Sequence, residues 1–181
     1  MSIKLSIVML TIPKRVNTCF QNSIHKLLEQ TKNRDDVEIL GLFDNKVNSV
    51  GNKRQYLLDA AQGEYIAQFD DDDDPAPDYI EELMNALYNN PGIDVVTFDM
   101  LYIKNGEIIC MYSRHYSYPS TYLFPTRIEI ARKTRFLNDN HIVDKYWEIP
   151  TGDLIKTRVK IPKILYYYNY NPGNSTQTHT A

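Results

Sequence analysis

The sequence predicts a single α/β domain in which helices flank a mostly parallel central sheet. Two observations carry this. Apolar, β-branched runs alternate with stretches of helical period over residues 3–104, and 181 residues of 43% hydrophobic content are enough to bury one core.

Taken in order, residues 3–10, IKLSIVML, form an apolar run ended by TIPKR, the pattern of a buried strand feeding a loop. Residues 19–31 place Phe20, Ile24, Leu27 and Leu28 at helical spacing, with Asn17 or Thr18 positioned to cap. Residues 37–45, VEILGLFDN, read as a second strand that stops at a carboxylate. Tyr56, Leu57, Ala60 and Ala61 make the apolar face of the next helix, Gly63 suits its C-terminus, and EYIAQF is a third strand. Pro75 or Pro77 opens a further helix in which Ile80, Leu83, Met84 and Leu87 recur at the helical period. Residues 93–103, IDVVTFDMLYI, are a fourth strand.

Beyond residue 104 the alternation fades. Asn105 and Gly106 mark a turn into a hairpin arm, and residues 112–126 are rich in Tyr, Ser and Pro without a period. Residues 141–157 are helical around Trp147, although Pro150 and Gly152 break the pattern. A late strand, VKIPKILYYYNY, precedes an irregular tail, and at least one ring of Tyr166 to Tyr168 is expected to point inward.

A formal net charge of -3 with no dominant basic stripe argues against nucleic acid as a partner. The two cysteines, Cys19 and Cys110, lack metal-ligand spacing and fit a reduced compartment. No stretch has the roughly 18–20 apolar residues of a membrane span, and the opening MSIKLSIVMLTIPKR is too short and too soon interrupted for a signal peptide, so a cytoplasmic location is expected.

The informative stretch is QFDDDDDPAPDYIEEL, residues 68–83. Five carboxylates between a strand and a helix stand where α/β sheets bind ligands, in the crevice beyond the strand ends. Packed into one turn they repel one another, and Mg²⁺ or Mn²⁺ relieves this by joining one or two carboxylates to substrate phosphates. A solvated acidic face is the bland alternative, weakened by the patterned elements on either side. A calcium loop of the EF-hand kind is excluded by two prolines and the lack of a glycine.

Read together, LSIVMLTIPKR, LFDN, the stretch from SVGNKR to PDYIEEL, and IPKILYYYNYNPGNS resemble a family-2 glycosyltransferase, an inverting nucleotide-sugar enzyme of the A-type fold. The likeness covers residues 3 to 90 in good register and resumes more weakly at 141–175. It implies a nucleotide-sugar-binding half over 1–104 and a reduced acceptor-binding half and tail over 105–181. It implies that Thr11, Ile12, Pro13 and Arg15 line the nucleotide pocket and that Asp44 meets the nucleobase, where a carboxylate can accept from a base N–H. The family's G-x-x-R-N segment falls on Gly51 to Gln55, with Gln55 in the place of the usual asparagine, and puts Lys53 and Arg54 near the nucleotide. Its D-x-D falls on Asp70, Asp71 and Asp72. Asp70 or Asp71 would then meet the ribose or a second metal contact, and Asp72, with Asp73 following, the Mn²⁺ or Mg²⁺. Asp74 is the spare, and Asp78 belongs to the first helical turn.

The resemblance also implies a general base from the second half, taking the proton of an acceptor hydroxyl. HIVDKYWEIPTGD offers Asp144, with Val143 where the family often has glutamate; Asp139, Glu148 and Asp153 compete. His179 is a candidate metal ligand of the tail, while His25, His115 and His141 have no evident partner. Tyr112, Tyr116, Tyr118, Tyr122 and Trp147 could stack on sugar rings, with a core role for about half of the chain's tyrosines as the alternative. The expected partners are a nucleotide-diphosphate sugar, with UDP favoured, and a glycan or other hydroxyl acceptor; the size and the aromatic segment are compatible with a homodimer. A nucleotidyltransferase would share the carboxylates, but TIPKR lacks the glycines of a phosphate loop. A noncatalytic carbohydrate-binding or nucleotide-binding relative is the other rival.

Overall fold

The computed structural model describes residues 2–112 and 122–170. β1 (Leu5–Thr11), β2 (Val37–Phe43), β3 (Tyr65–Asp70), β5 (Val95–Lys104) and β8 (Arg158–Tyr170) are the long strands of one mixed sheet. Its order is β2-β1-β3-β7-β5-β8-β4, where β4 is Asp74–Pro75 and β7 is Thr126–Arg127. β6 (Glu107–Tyr112) pairs antiparallel with the far half of β5, forming the arm expected at Asn105 and Gly106. β7 lies antiparallel between β3 and β5, so the five long strands run the same way and deliver their carboxyl ends to one edge.

The sheet is buried on both faces along β1. Leu5, Ile7 and Met9 pack with Leu27 of α2 (Gln21–Thr31) and with Ile80, Leu83, Met84 and Leu87 of α4 (Tyr79–Asn89). Val8 faces the other way, toward Leu57 and Leu58 of α3 (Val50–Ala60) and Trp147 of α6 (Val143–Leu154). The small helix α5 (Ile128–Ala131) completes that layer.

Several boundaries differ from expectation. Neither Asn17 nor Thr18 caps a helix: α1 (Pro13–Arg15) runs through a wide turn, Val16–Phe20, straight into α2, and the chain is already helical at Phe20. Gly63 does not close α3. It lies against β1, where a Cβ would stand 2.6 Å from the Ser6 nitrogen, and its N–H donates to Ser6 Oγ at 2.8 Å. Neither Pro75 nor Pro77 starts α4, because Pro75 belongs to β4 and Asp78 is the N-cap. Pro150 sits inside α6 without ending it. Its ring leaves the carbonyl of Tyr146, an exposed residue, without a helical donor.

Candidate active site

The edge where β1 and β3 end holds the aspartates. β3 continues to Asp70, the turn closes with Asp73 N–H donating to Asp70 O at 3.2 Å, and Asp74 pairs with Tyr167 of β8. Ser23 of α2, itself buried, donates to the Asp73 carbonyl and ties the turn from below.

Arg15 projects from α1 into this turn. One guanidinium nitrogen bonds Asp71, and the other lies 3.0 Å from Asp72 Oδ2. Thr11, buried at the end of β1, stands beside Asp71, while Ile12 and Pro13 carry the chain over the rim in extended and helical conformation. Asp44 follows β2; its oxygens accept from the N–H groups of Val47 and Asn48, both at 3.1 Å, and Lys53 Nζ is 3.2 Å away. Burial acts against the Asp44 charge, and the N–H of Asn48, the Lys53 ammonium and the N–H of Val47 outweigh it, holding the carboxyl below its usual range.

Arg54 connects the two halves of the chain. Buried in α3, it donates to Gln68, lies 3.5 Å from Asp70 Oδ1 and 3.3 Å from Asp144 Oδ1, and rests 4.0 Å above the Tyr122 ring. Tyr122 in turn donates its hydroxyl to Asp70 Oδ2 at 2.6 Å. Asp144 stands in the first turn of α6, which Ile142 enters in a left-handed conformation at φ 56°. Burial pushes its carboxyl above the usual value; Arg54 opposes this and Asp70 adds to it.

Of the other carboxylates considered for the base, Asp139 accepts from the N–H groups of Asn140 and His141, and Glu148 holds the Tyr122 N–H at 3.3 Å. Asp153 is exposed and belongs to neither arrangement. His25 and His141 are exposed, and His115 and His179 lie outside the described residues.

Asp73 is spent inward. It is 1% exposed, its Oδ2 accepts from Tyr166 Oη at 2.6 Å, and its Oδ1 accepts from Asn169 N–H at 2.7 Å. It therefore anchors the turn to β8 rather than offering open oxygens, whereas the side chains of Asp70 and Asp72 remain 27% and 22% exposed. Asp74 pairs with Lys26 and accepts from Asn169 Nδ2.

The aromatic expectations change most. Trp147 stacks on Phe136 with ring centroids 5.2 Å apart and is 3% exposed, so it is core and not a sugar platform. Tyr122 is committed to Arg54 and Asp70. Tyr116 and Tyr118 fall outside the described residues, as does the side chain of Tyr112. Gln68, Tyr166 and Asn169 complete the site without a motif of their own in the sequence. Only the inward ring expected of the Tyr166 to Tyr168 run pointed toward one of them.

Among the described residues no three metal-ligating side chains converge. The donor set nevertheless fits a hard divalent cation, which takes one or two carboxylates and completes its shell with phosphate oxygens and water. Burial, Asp70 and Asp71 push Asp72 up to about 6 against the pull of Arg15.

Residues 27–150 match the family model described as glycosyl transferase family 2. The chain belongs to that family. The fold of this family-2 chain is also that of S. aureus TarS. A structure of TarS 1–349 in complex with UDP-GlcNAc superimposes with a TM-score of 0.72 at 13% identity, covering 95% of this chain and 60% of that one. The same fragment in complex with UDP gives 0.70 at 13% identity, covering 94% and 61%. The family-2 chain thus spans about three-fifths of those structures' length. No curated protein matches it.

Proposed function

We propose that this family-2 chain is a metal-dependent glycosyltransferase that moves a sugar from a nucleotide-diphosphate sugar, UDP-linked by preference, to an acceptor hydroxyl with inversion. The observation that carries the reading is the Asp70–Arg54–Asp144 bridge. It brings a carboxylate from the second half of the chain, 90 residues from Arg54 in sequence, to the edge of the aspartate turn. The UDP and UDP-GlcNAc bound by TarS support the choice of nucleotide.

In this mechanism Thr11, Ile12, Pro13 and Arg15 line the nucleotide side, and Asp44, held by Lys53, offers its remaining lone pairs to the base. Asp72 would hold Mn²⁺ or Mg²⁺, with Asp70 or Asp71 at the ribose or a second contact, and Asp73 fixes the turn from behind. When bound, the cation supplies charge neutralisation to the departing diphosphate. Asp144 takes the acceptor proton. Its raised affinity for protons suits a general base better than an ordinary surface carboxylate does. Arg54 keeps that carboxylate aimed and ionised.

The test is thermal melting with UDP and GDP, with and without Mn²⁺, followed by hydrolysis of a nucleotide-sugar panel. Metal-dependent stabilisation by one nucleotide is expected. No shift with any nucleoside diphosphate overturns the reading, and nucleotide binding without turnover favours the noncatalytic rival.

A further inference from the structure

The sheet carries its buried aromatic column outward past the aspartates. Phe124, Phe98, Tyr79, Phe69 and Tyr166 contact one another in series through the core, with centroid separations of 4.8–5.9 Å. Tyr166 ends that series at the turn, donating to Asp73 and accepting from the Asp70 N–H at 3.2 Å. Alternate residues of a strand share a face, about 6.6 Å apart, so Tyr168 and Tyr170 continue the same side of β8 beyond Tyr166. Tyr102 of β5 is the register partner of Tyr168. The two rings stack with centroids 5.5 Å apart at 27°, and Tyr170 lies 6.3 Å from Tyr102. Unlike Tyr166, which is wholly buried, Tyr168 is 38% exposed.

Tyr102 and Tyr168 turn one face each toward the other, so the apolar surface they leave is the outer side of the cluster, where Tyr168 is exposed, Tyr102 and Tyr170 are half-buried, and the hydroxyls lie at the edge. Such a surface matches a pyranose, whose axial C–H groups form an apolar face and whose equatorial hydroxyls form a polar rim. The sheet order says which sugar. Thr11, Arg15, Asp44 and Lys53 gather around β1 and β2, the aspartate run crosses from the end of β3 to β4 at the opposite edge of the sheet, and the tyrosines lie on β5 and β8 beside that run, away from the proposed nucleotide pocket. We infer that Tyr102, Tyr168 and Tyr170 form an acceptor subsite that stacks a pyranose ring of the glycan to be extended. The inference rests on the transferase reading for the word acceptor; the pyranose site itself does not need it. Burial and the nearby charges of Asp73, Asp70 and Asp72 push the Tyr168 hydroxyl up to about 12, which keeps it a neutral hydrogen-bond donor beside the aspartates.

Saturation-transfer NMR with methyl β-glucoside, methyl β-galactoside and methyl β-N-acetylglucosaminide tests this on the whole chain. At least one glycoside should receive saturation on the C–H groups of one ring face. Tyr168→Ala should weaken its binding by about tenfold, while Tyr168→Phe, which keeps the ring, should stay within about twofold of wild type. Unchanged UDP melting shifts in both variants would show that the fold and the nucleotide side are intact. No binding of any of the three glycosides, or equal binding by Tyr168→Ala, overturns the subsite. Displacement of the glycoside by UDP-GlcNAc but not by UDP overturns its assignment to the acceptor. Glycoside binding that depends on Tyr168 in a protein that binds no nucleotide upholds the pyranose site while removing the transferase reading.

Discussion

Replacing Arg54 by methionine keeps most of the aliphatic volume and removes one buried cation from between two carboxylates. The guanidinium faces Asp70, Asp144 and Gln68 and covers the Tyr122 ring, so four groups lose a partner at once. Taking one member from a buried ion pair costs about 3–5 kcal/mol. Asp70 and Asp144, 27% and 38% exposed, recover part of this by hydration, which places the expectation at the low end, about 3 kcal/mol. For a chain of this length that is a fall in Tm of roughly 6–12 °C. The loss depends on pH in a definite sense. Without Arg54, the Asp144 carboxyl moves further above its unfolded value, and a carboxyl raised on folding stabilises the folded state fully only below about pH 4, the contribution vanishing as pH rises through the raised value. The melting gap between wild type and Arg54→Met should therefore narrow as pH is lowered from about 7 to about 5. Circular dichroism melts at several pH values measure it. A variant melting within about 1 °C of wild type at neutral pH, or a gap that widens on acidification, would refute the bridging role.

Asp144→Asn should lower turnover by about 10²–10⁴ while leaving the nucleotide-induced melting shift in place, and unchanged turnover sinks the choice of base. Asp72→Asn should abolish the Mn²⁺-dependent part of that shift. In chelator the same variant should melt above wild type at neutral pH, because the Asp72 charge is disfavoured by burial, Asp70 and Asp71 up to about 6; the advantage should fade as pH falls toward the ordinary carboxylate range, where both proteins are neutral at this position. Gly51→Ala places a Cβ 1.6 Å from the Leu137 carbonyl oxygen, so backbone must move and urea unfolding should show a loss of about 1–3 kcal/mol or more. An alanine variant as stable as wild type would mean that the close approach of α3 to that segment is not tight.

The long strands and the helices were legible because their signals are local: β-branched runs for β1, β3 and β5, and a 3.6-residue apolar period for α4. The place of the aspartates was legible for the same reason, since a strand on one side and a helix on the other define a turn. What local pattern does not encode is where a side chain's partner comes from. Gly51 was visible as a motif glycine, yet its physical reason, the carbonyl of Leu137 and the N–H bond to Asp139 at 3.0 Å, comes from a segment more than eighty residues away. Gln55 likewise takes the Phe136 N–H at 3.0 Å, which fastens the same segment to α3. Trp147 and Tyr122 read as rings open to a sugar, but Phe136, from the segment just before α6, covers one face of Trp147, and Arg54, from the distant α3, covers one face of Tyr122. The stacked tyrosines of β5 and β8 depend on strand register, which a single sequence does not display.

Register also changes the meaning of Val143. As a missing acidic residue beside Asp144, it weighs toward a chain that has lost its chemistry. In the fold, neighbouring positions of the first turn of α6 point in different directions: Asp144 turns to Arg54 at the cleft, while Val143 turns inward and is 3% exposed. Val143 packs in the cluster of Val8, Leu58, Phe136 and Trp147, and its Cγ1 would lie 3.2 Å from a Cβ at position 51. A carboxylate in that pocket would be buried without a cation, a cost of several kcal/mol in the effective terms that apply to ions inside proteins. The valine therefore follows from the packing of α6 against α3, and its presence subtracts nothing from the carboxylate that reaches the cleft.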